Sequence, residues 1–506
     1  MTTRVDTRPG WPGLLLHERA RPDAVRRRPY AWRLAVATVC FGAFMGQLDA
    51  SIVTLTYGRL RDGFHASPAA VEWVSLAYLL VLIALLVPAG RLSDAYGRKL
   101  LYLYGFGVFT AASAVCGLAP SLLTLVLFRG AQAVGAALMQ ANSVALVTTS
   151  APRERMRAAL GIQAAAQALG LALGPTVGGV LVSTLGWRWV FFVNVPIGVV
   201  ALVAGHYLLP RTRERRGGGG FDWPGLALLG AATGGVLLGL SAASGLPVPG
   251  WAVVSLFVLA AAAGWGFVVR QGRAAVPLLD LALVRGRTIL FGLAGALSGY
   301  LVLFGPLVLV PVVLAGSGSS ELTTGLVLTA LPAGFAAAAT GADRVLPRRL
   351  SDRGRCVLGA GAFTAATAAL LVVPLTVGPL AVVLAVVGLG LGTFTPANNA
   401  MIMGAVPREA SGTGGGLVNM ARGLGTALGV ALVTLALHLG TRYGGAGGGT
   451  GTARWAVAVL VGVSVVALAA AWAGPRTAVR PGGGGHAGPD LRSGSGGRPG
   501  SGATHG

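Results

Sequence analysis

One carboxylate in this chain stands where carboxylates are costly. Asp49 sits in Gly46-Gln47-Leu48-Asp49-Ala50-Ser51, well inside an apolar run, and no other acid lies so deep in any such run. Removal from water disfavours the charged form, so a buried aspartate can be held neutral and ionise when water or a cation reaches it, which is what a proton carrier needs. Arg129 lies in a second apolar run with Gln132 and Gly135 after it. An arginine at that depth costs about 2.5–3.5 kcal/mol, so something must compensate for it. Arg129 could therefore bias the ionisation of Asp49. Structural roles compete with these: Asp49 as a partner of Arg129 or of nearby backbone, and Arg129 reaching along its stem to an interface.

A second group of residues is built for contact between segments. Gly90-Arg91-Leu92-Ser93-Asp94-Ala95-Tyr96-Gly97-Arg98-Lys99 places an acid at the end of one apolar run and cations at the start of the next. Asp94 there can pair with Arg98 or with the N-terminal dipole of a neighbouring helix, a latch that breaks when two bodies rock. Gly90, Gly97, Arg98 and Lys99 complete the candidate latch; a plain topogenic basic loop is the alternative. The tetrapeptide at 91–94 recurs as Arg349-Leu350-Ser351-Asp352, each copy followed by Gly-Arg. Duplicated halves around a central site follow that pattern. Gly170, Gly174, Pro175, Gly178 and Gly179 share another run; glycines four apart let helix backbones approach closely, and a proline bends a helix.

Amides complete the inventory. Pro396-Ala397-Asn398-Asn399 reads as an interrupted helix beside an aqueous cavity, and Asn419 and Arg422 share a later run. With them, Gln47, Asn142, Gln163, Gln167, Asn194 and Tyr300 are the candidates to line a cavity, with interhelical packing as the competing role for each amide.

What must position these groups is a membrane bundle. The chain has 506 residues, 54% hydrophobic and only 11% charged, against about 25% charged in an ordinary soluble domain. A helix needs about 20 apolar residues to cross the hydrocarbon. Fourteen spans are expected, at 34–57, 72–90, 100–119, 121–148, 158–183, 189–209, 224–244, 250–269, 288–314, 322–341, 356–374, 379–403, 413–438 and 455–473. With both termini on the cytoplasmic side, the inner loops hold 20 arginines and lysines and the outer loops five, as the positive-inside rule requires. The expected divisions are a tail at 1–30, a six-helix bundle at 31–209, a linker at 210–221, two inserted helices at 222–273, a second bundle at 274–476, and a Gly-rich disordered tail at 477–506.

The residues at 90–99 resemble motif A of the major facilitator superfamily, with Ala95 where that family usually has a basic residue. Gly170-Leu171-Ala172-Leu173-Gly174-Pro175-Thr176-Val177-Gly178-Gly179 is similar to the family's antiporter motif at every fixed position. Arg129, Gln132 and Gly135 resemble motif B, and Leu48-Asp49 resembles the first-span acidic motif of fourteen-helix drug:proton antiporters. This resemblance implies an all-α major facilitator fold with two six-helix bundles and two inserted helices. It implies a monomer in the bacterial cytoplasmic membrane, exporting small hydrophobic or amphiphilic compounds such as antibiotics in exchange for protons. Import of a nutrient with protons, or a non-transporting sensor or scaffold, are the alternatives.

Other classes find little purchase. The net charge of +23 is spread between apolar runs rather than gathered into a nucleic-acid face. Cys40, Cys116 and Cys356 show no metal or disulfide spacing. Lys99 is the only lysine, and Arg98 stands where a nucleotide-binding Walker loop would need glycine. No clustered nucleophile, base or metal groups suggest an enzyme, no cofactor is implied, and no cleaved leader is expected.

Overall fold

The computed structural model describes residues 18, 20–66, 68–212, 222–243, 249–275, 277–279, 281–316, 319, 321–347, 349–443 and 448–474. Every regular element among them is helical. Fourteen long helices follow one another: α1 (Ala31–Ile52), α2 (Pro68–Tyr96), α3 (Arg98–Gly117), α4 (Leu122–Ser150), α5 (Met156–Thr184), α6 (Asn194–Leu208), α7 (Trp223–Ala243), α8 (Gly250–Arg273), α9 (Arg287–Gly316), α10 (Glu321–Val345), α11 (Asp352–Ala369), α12 (Val377–Ala405), α13 (Ser411–Tyr443) and α14 (Gly448–Ala473). Thirteen are long and apolar enough to cross a membrane; α11 is not among these, and it carries Asp352, Arg353 and Arg355 in its first four residues.

The differences from the expected spans have local causes. α2 runs on past residue 90 through Asp94, because nothing in Arg91–Tyr96 breaks a helix before Gly97. Gly97 then adopts φ 109°, a left-handed conformation suited to glycine, and starts α3 directly. α11 stops at Ala369, short of 374, since Pro374 has no N–H for the Leu370 carbonyl and its ring crowds that carbonyl, and the chain tightens into turns bonded three residues back. At Pro396 the expected interruption does not occur: α12 continues unbroken from Val377 to Ala405. The tail at 477–506 and most of the linker at 210–221 lie outside the described residues.

Two apolar cores organise the bundle. Around Tyr102, Phe106 and Phe109, the first gathers buried residues of α1–α6; the second gathers those of α9–α14 around Phe363, Phe394 and Leu460. Each takes a few residues from the other group: Ala164, Ala165 and Ala168 of α5 join the second core, and Ala400 and Met403 of α12 join the first. The two groups repeat one packing device. Gly105 of α3 meets Gly135 of α4, and Gly359 of α11 meets Gly390 of α12; a β-carbon at any of the four would come within 2.6–2.8 Å of the facing carbonyl. In α3 and α11 a buried phenylalanine follows four residues on, Phe109 and Phe363.

α7 packs on α8 and against α2. α8 presents apolar side chains outward, with Trp251 and Trp265 each 72% exposed. Side chains of that kind in such number require lipid rather than water around them.

Candidate functional site

Asp49 is fully buried, and the structure spends both of its oxygens. Oδ2 accepts from Arg129 Nη1 at 2.6 Å. Oδ1 accepts from Gln132 Nε2 and from Asn194 Nδ2, each at 3.0 Å. Arg129, 1% exposed, donates in addition to the Val74 carbonyl at 3.1 Å and to Gln132 Oε1 at 2.6 Å. Its guanidinium lies 4.3 Å from the Tyr78 ring centroid and 5.8 Å from that of Phe191. Ser113 holds Gln132 from the far side at 2.8 Å. The insertion cost of an isolated arginine is thus offset by a charge partner, four acceptor or ring contacts and close packing. Five helices supply the parts: α1, α2, α3, α4 and α6.

The glycines at 170–179 set where α1 stands. Gly170 lies against the Phe44 carbonyl and Gln47, Gly174 against the Ser51 side chain, and Gly178 against Ile52 and Leu55. Spacing four keeps three glycines on one stripe of α5, and α1 beds into it. Gly179 has no neighbour within 4 Å of a β-carbon position. The side chain of Pro175 lies outside the described residues.

Two residues before Asp49, Gln47 faces elsewhere. With Gln167, Ala168, Leu171, Tyr300, Leu303, Pro332 and Phe335 it lines a cavity between α1, α5, α9 and α10. Arg422 of α13 stands at its edge, 5.0 Å from the Tyr300 ring centroid and 3.5 Å from Gln167 Oε1, which also accepts from the Tyr300 hydroxyl at 3.3 Å. Gln163, one turn before Gln167, is buried with its amide nitrogen unbonded among the described residues.

The other amides are spent between helices. Asn142 donates to Ser93 Oγ at 2.6 Å and to the Leu138 carbonyl. Asn194 belongs to the Asp49 cluster, and Asn398 donates to the Gly292 carbonyl at 2.9 Å. Asn419 donates to the Gln140 and Gly415 carbonyls at 2.7 and 2.9 Å, and Asn399 is buried on α12. Of the ten expected cavity residues, the structure brings Gln47, Gln167, Tyr300 and Arg422 together. Pro332 and Phe335 escaped the sequence reading because ordinary apolar residues carry no signal of a cavity.

Asp94 reaches across the two groups of helices. Its oxygens accept from the backbone N–H groups of Gly412 and Thr413, each at 2.7 Å, and from the Thr413 hydroxyl at 2.7 Å. Arg98 Nη2 lies 3.1 Å from the same carboxylate. An anion at the first turn of α13 meets the positive end of the helix dipole and N–H groups that have no partner within the helix. Gly90 is pressed against Gly412, leaving no room for a side chain at either. Lys99 does not join them; its ammonium donates to the His206 and Leu209 carbonyls at the end of α6.

The repeated tetrapeptide builds a matching contact. Asp352 lies 2.7 Å from Arg157 Nε at the start of α5. Asp343 lies 3.5 Å from Arg157 Nη1 and 2.7 Å from Arg355 Nη1. Arg157, Asp343 and Arg355 were absent from the expected site; the repeat was the one signal that led toward them. α2 and α13, and α5 and α10, are thus joined at the end of the bundle where the basic loops gather.

A family model described as Major Facilitator Superfamily matches residues 39–430. The chain is 33% identical over 418 residues to the tetracenomycin C resistance and export protein of Streptomyces glaucescens, covering 81% of this chain and 76% of that one. It is 29% identical to the riboflavin transporter RibZ of Clostridioides difficile (strain 630), covering 79% and 86%. It is 30% identical to the methylenomycin A resistance protein of Bacillus subtilis (strain 168), covering 81% and 88%. Among solved structures, the human organic anion transporter MFSD10 (TETRAN) shares the fold with a TM-score of 0.63 at 16% identity, covering 88% of this chain and all of that one. Two cores of six helices each, a repeated tetrapeptide at their seam and a match over more than three quarters of the sequence agree: this membrane transporter belongs to the major facilitator superfamily.

Proposed function

We propose that the protein exports small hydrophobic or amphiphilic compounds, antibiotics among them, across a bacterial cytoplasmic membrane in exchange for protons. On this reading α11 is the fourteenth span, both termini are cytoplasmic, and residues 31–209 and 274–476 rock about a central cavity with 222–273 at the side. The basic end, where Asp94 holds α13 and Asp352 holds Arg157, faces the cytoplasm and is closed in this state.

The observation that carries the reading is the buried Asp49–Arg129 pair on the helix that α5 positions through its glycine stripe. Protonating Asp49 removes the charge that holds Arg129, so the cluster has two arrangements, and α1 is shared between it and the cavity through Gln47. Cargo and proton then bias one element in opposite senses, which is exchange by alternating access. The complete burial of Asp49 favours a rival reading, in which the pair only holds α1 to α4.

Expression in a host lacking its own efflux pumps tests both. The wild type is expected to lower intracellular accumulation of the exported compound and raise the inhibitory concentration. Asp49→Asn, present in the membrane at wild-type level, is expected to do neither. Full resistance with Asp49→Asn supports the structural reading, and raised accumulation with the wild type supports import.

A further inference from the structure

We infer that the exported compound carries an anionic group, a carboxylate or an ionised phenol, and that Arg422 is its anchor. The inference rests on the efflux reading for direction of transport but on the cavity itself for chemistry. Arg422 is 4% exposed on α13. Among the described residues it has no carboxylate partner, unlike Arg129 at a comparable burial. Its hydrogen bonds are long ones to neutral oxygens, 3.4 Å to Asn419 and 3.5 Å to Gln167. Its Nε has no partner at all among the described residues.

A buried guanidinium with donors left over gains more from an anionic group than from the neutral oxygens it now meets. Its surroundings show where that group sits. Tyr300 of the neighbouring α9 and Gln167 across the seam on α5, the two side chains Arg422 meets there, both line the cavity. Gln163 adds an unbonded amide donor one turn away on α5. The cavity lining itself contains amides, one phenol and apolar groups, with no acid. Asp49, the nearest acid by sequence to a lining residue, is committed to Arg129. The site therefore presents one positive charge, neutral polar groups and an otherwise apolar lining that includes Phe335. An aromatic or polycyclic acid matches that set, and a quaternary or amine cation meets repulsion with nothing to offset it.

Two planar dyes of opposite charge, fluorescein and ethidium, test this on the purified full-length protein in detergent, with binding read by fluorescence polarisation. The wild type is expected to bind fluorescein at least about tenfold more tightly than ethidium. Arg422→Gln is expected to abolish that preference, and Arg422→Lys, which keeps the charge without the planar fork, to restore part of it. Equal unfolding midpoints of the three proteins exclude a folding defect, and Arg422→Lys keeps the test alive if Arg422→Gln does not fold. Preference for ethidium in the wild type, or an undiminished preference for fluorescein in Arg422→Gln, overturns the assignment. Movement of the bound dye in proteoliposomes with and without a pH gradient is read separately. Binding preference that follows Arg422 without gradient-driven movement sinks the efflux reading and leaves the anchor standing.

Discussion

At the scale of single residues, the balance at Asp49 is between burial and partnership. A carboxylate and a guanidinium, both dry, are stable together and unstable apart, because removing one leaves an uncompensated charge worth about 3–5 kcal/mol. Arg129→Met is accordingly expected to lower unfolding stability by about that amount, while the double variant Asp49→Asn, Arg129→Met recovers most of it. Chemical unfolding of the two proteins in detergent checks this, and equal losses in single and double variants contradict it. Asp49 and Arg129 were legible in the sequence because charge is rare in apolar runs. Gln132 stood out through the likeness of Arg129, Gln132 and Gly135 to motif B. Ser113, Asn194 and the Val74 carbonyl were not legible as partners, since amides and hydroxyls abound in these helices and nothing local says which face meets which. Asn142 and Asn398 take up the competing role of pairing helices, through Ser93 and the Gly292 carbonyl.

Among the elements, α5 decides where α1 lies. Gly174→Val drives a side chain into Ser51 and is expected to abolish transport, whereas Gly179→Ala, with open space around it, is expected to leave transport unchanged. Drug accumulation in cells expressing either variant reads the contrast, and equal losses contradict the stripe. The spacing of those glycines was visible in the sequence, but not that Gly179 stands off the contact. Asp222 performs a comparable task for the α7–α8 pair. It accepts from Gly225 N–H at 3.0 Å, Gln271 at 2.9 Å and Arg270 at 3.1 Å. Burial raises its carboxyl, and these three donors outweigh burial and hold it below the ordinary range. A carboxyl depressed in the folded state adds stability above its unfolded value, about pH 4, and loses it as pH falls toward the folded one. Asp222→Asn, which keeps a capping oxygen but loses the charge facing Arg270 and Gln271, is expected to cost about 1 kcal/mol at neutral pH and less as the carboxyl protonates in acid. A thermal midpoint whose difference from wild type does not shrink as pH falls below about 4 contradicts this.

For the molecule as a whole, two copies of one tetrapeptide each place an aspartate that fastens one group of helices to the other. Asp94 uses backbone at the start of α13, and Asp352 uses a side chain at the start of α5. The repeat was legible as four identical residues, and Arg98 or a helix N-terminus was the expected partner of Asp94; which helix supplies it was not legible, because N–H groups at a helix start leave no mark on the sequence beyond the small residues Ser411 and Gly412. Apolar length made the helices legible, the eleventh included at 356–374; α11 forms there, but Asp352, Arg353 and Arg355 in its first turn keep it out of the thirteen long enough and apolar enough to cross a membrane. Asp94→Asn weakens the hold on α13 and is expected to shift the equilibrium toward opening at the basic end. A cysteine placed at Ala339, which packs against Gly161 on that side, in a protein without Cys40, Cys116 and Cys356, reports it. Its labelling by a membrane-impermeant maleimide from the basic side is expected to rise about tenfold in Asp94→Asn, and an unchanged rate contradicts the latch.

Exchange of a hydrogen ion at Asp49 is most directly seen in everted vesicles that have built a pH gradient. Adding a transported dye to the wild type is expected to collapse part of the gradient within the time of dye uptake. Asp49→Asn is expected to leave the gradient intact under the same addition, and Asp94→Asn to change only the rate of collapse. A gradient that collapses in Asp49→Asn as it does in the wild type contradicts proton coupling through this residue.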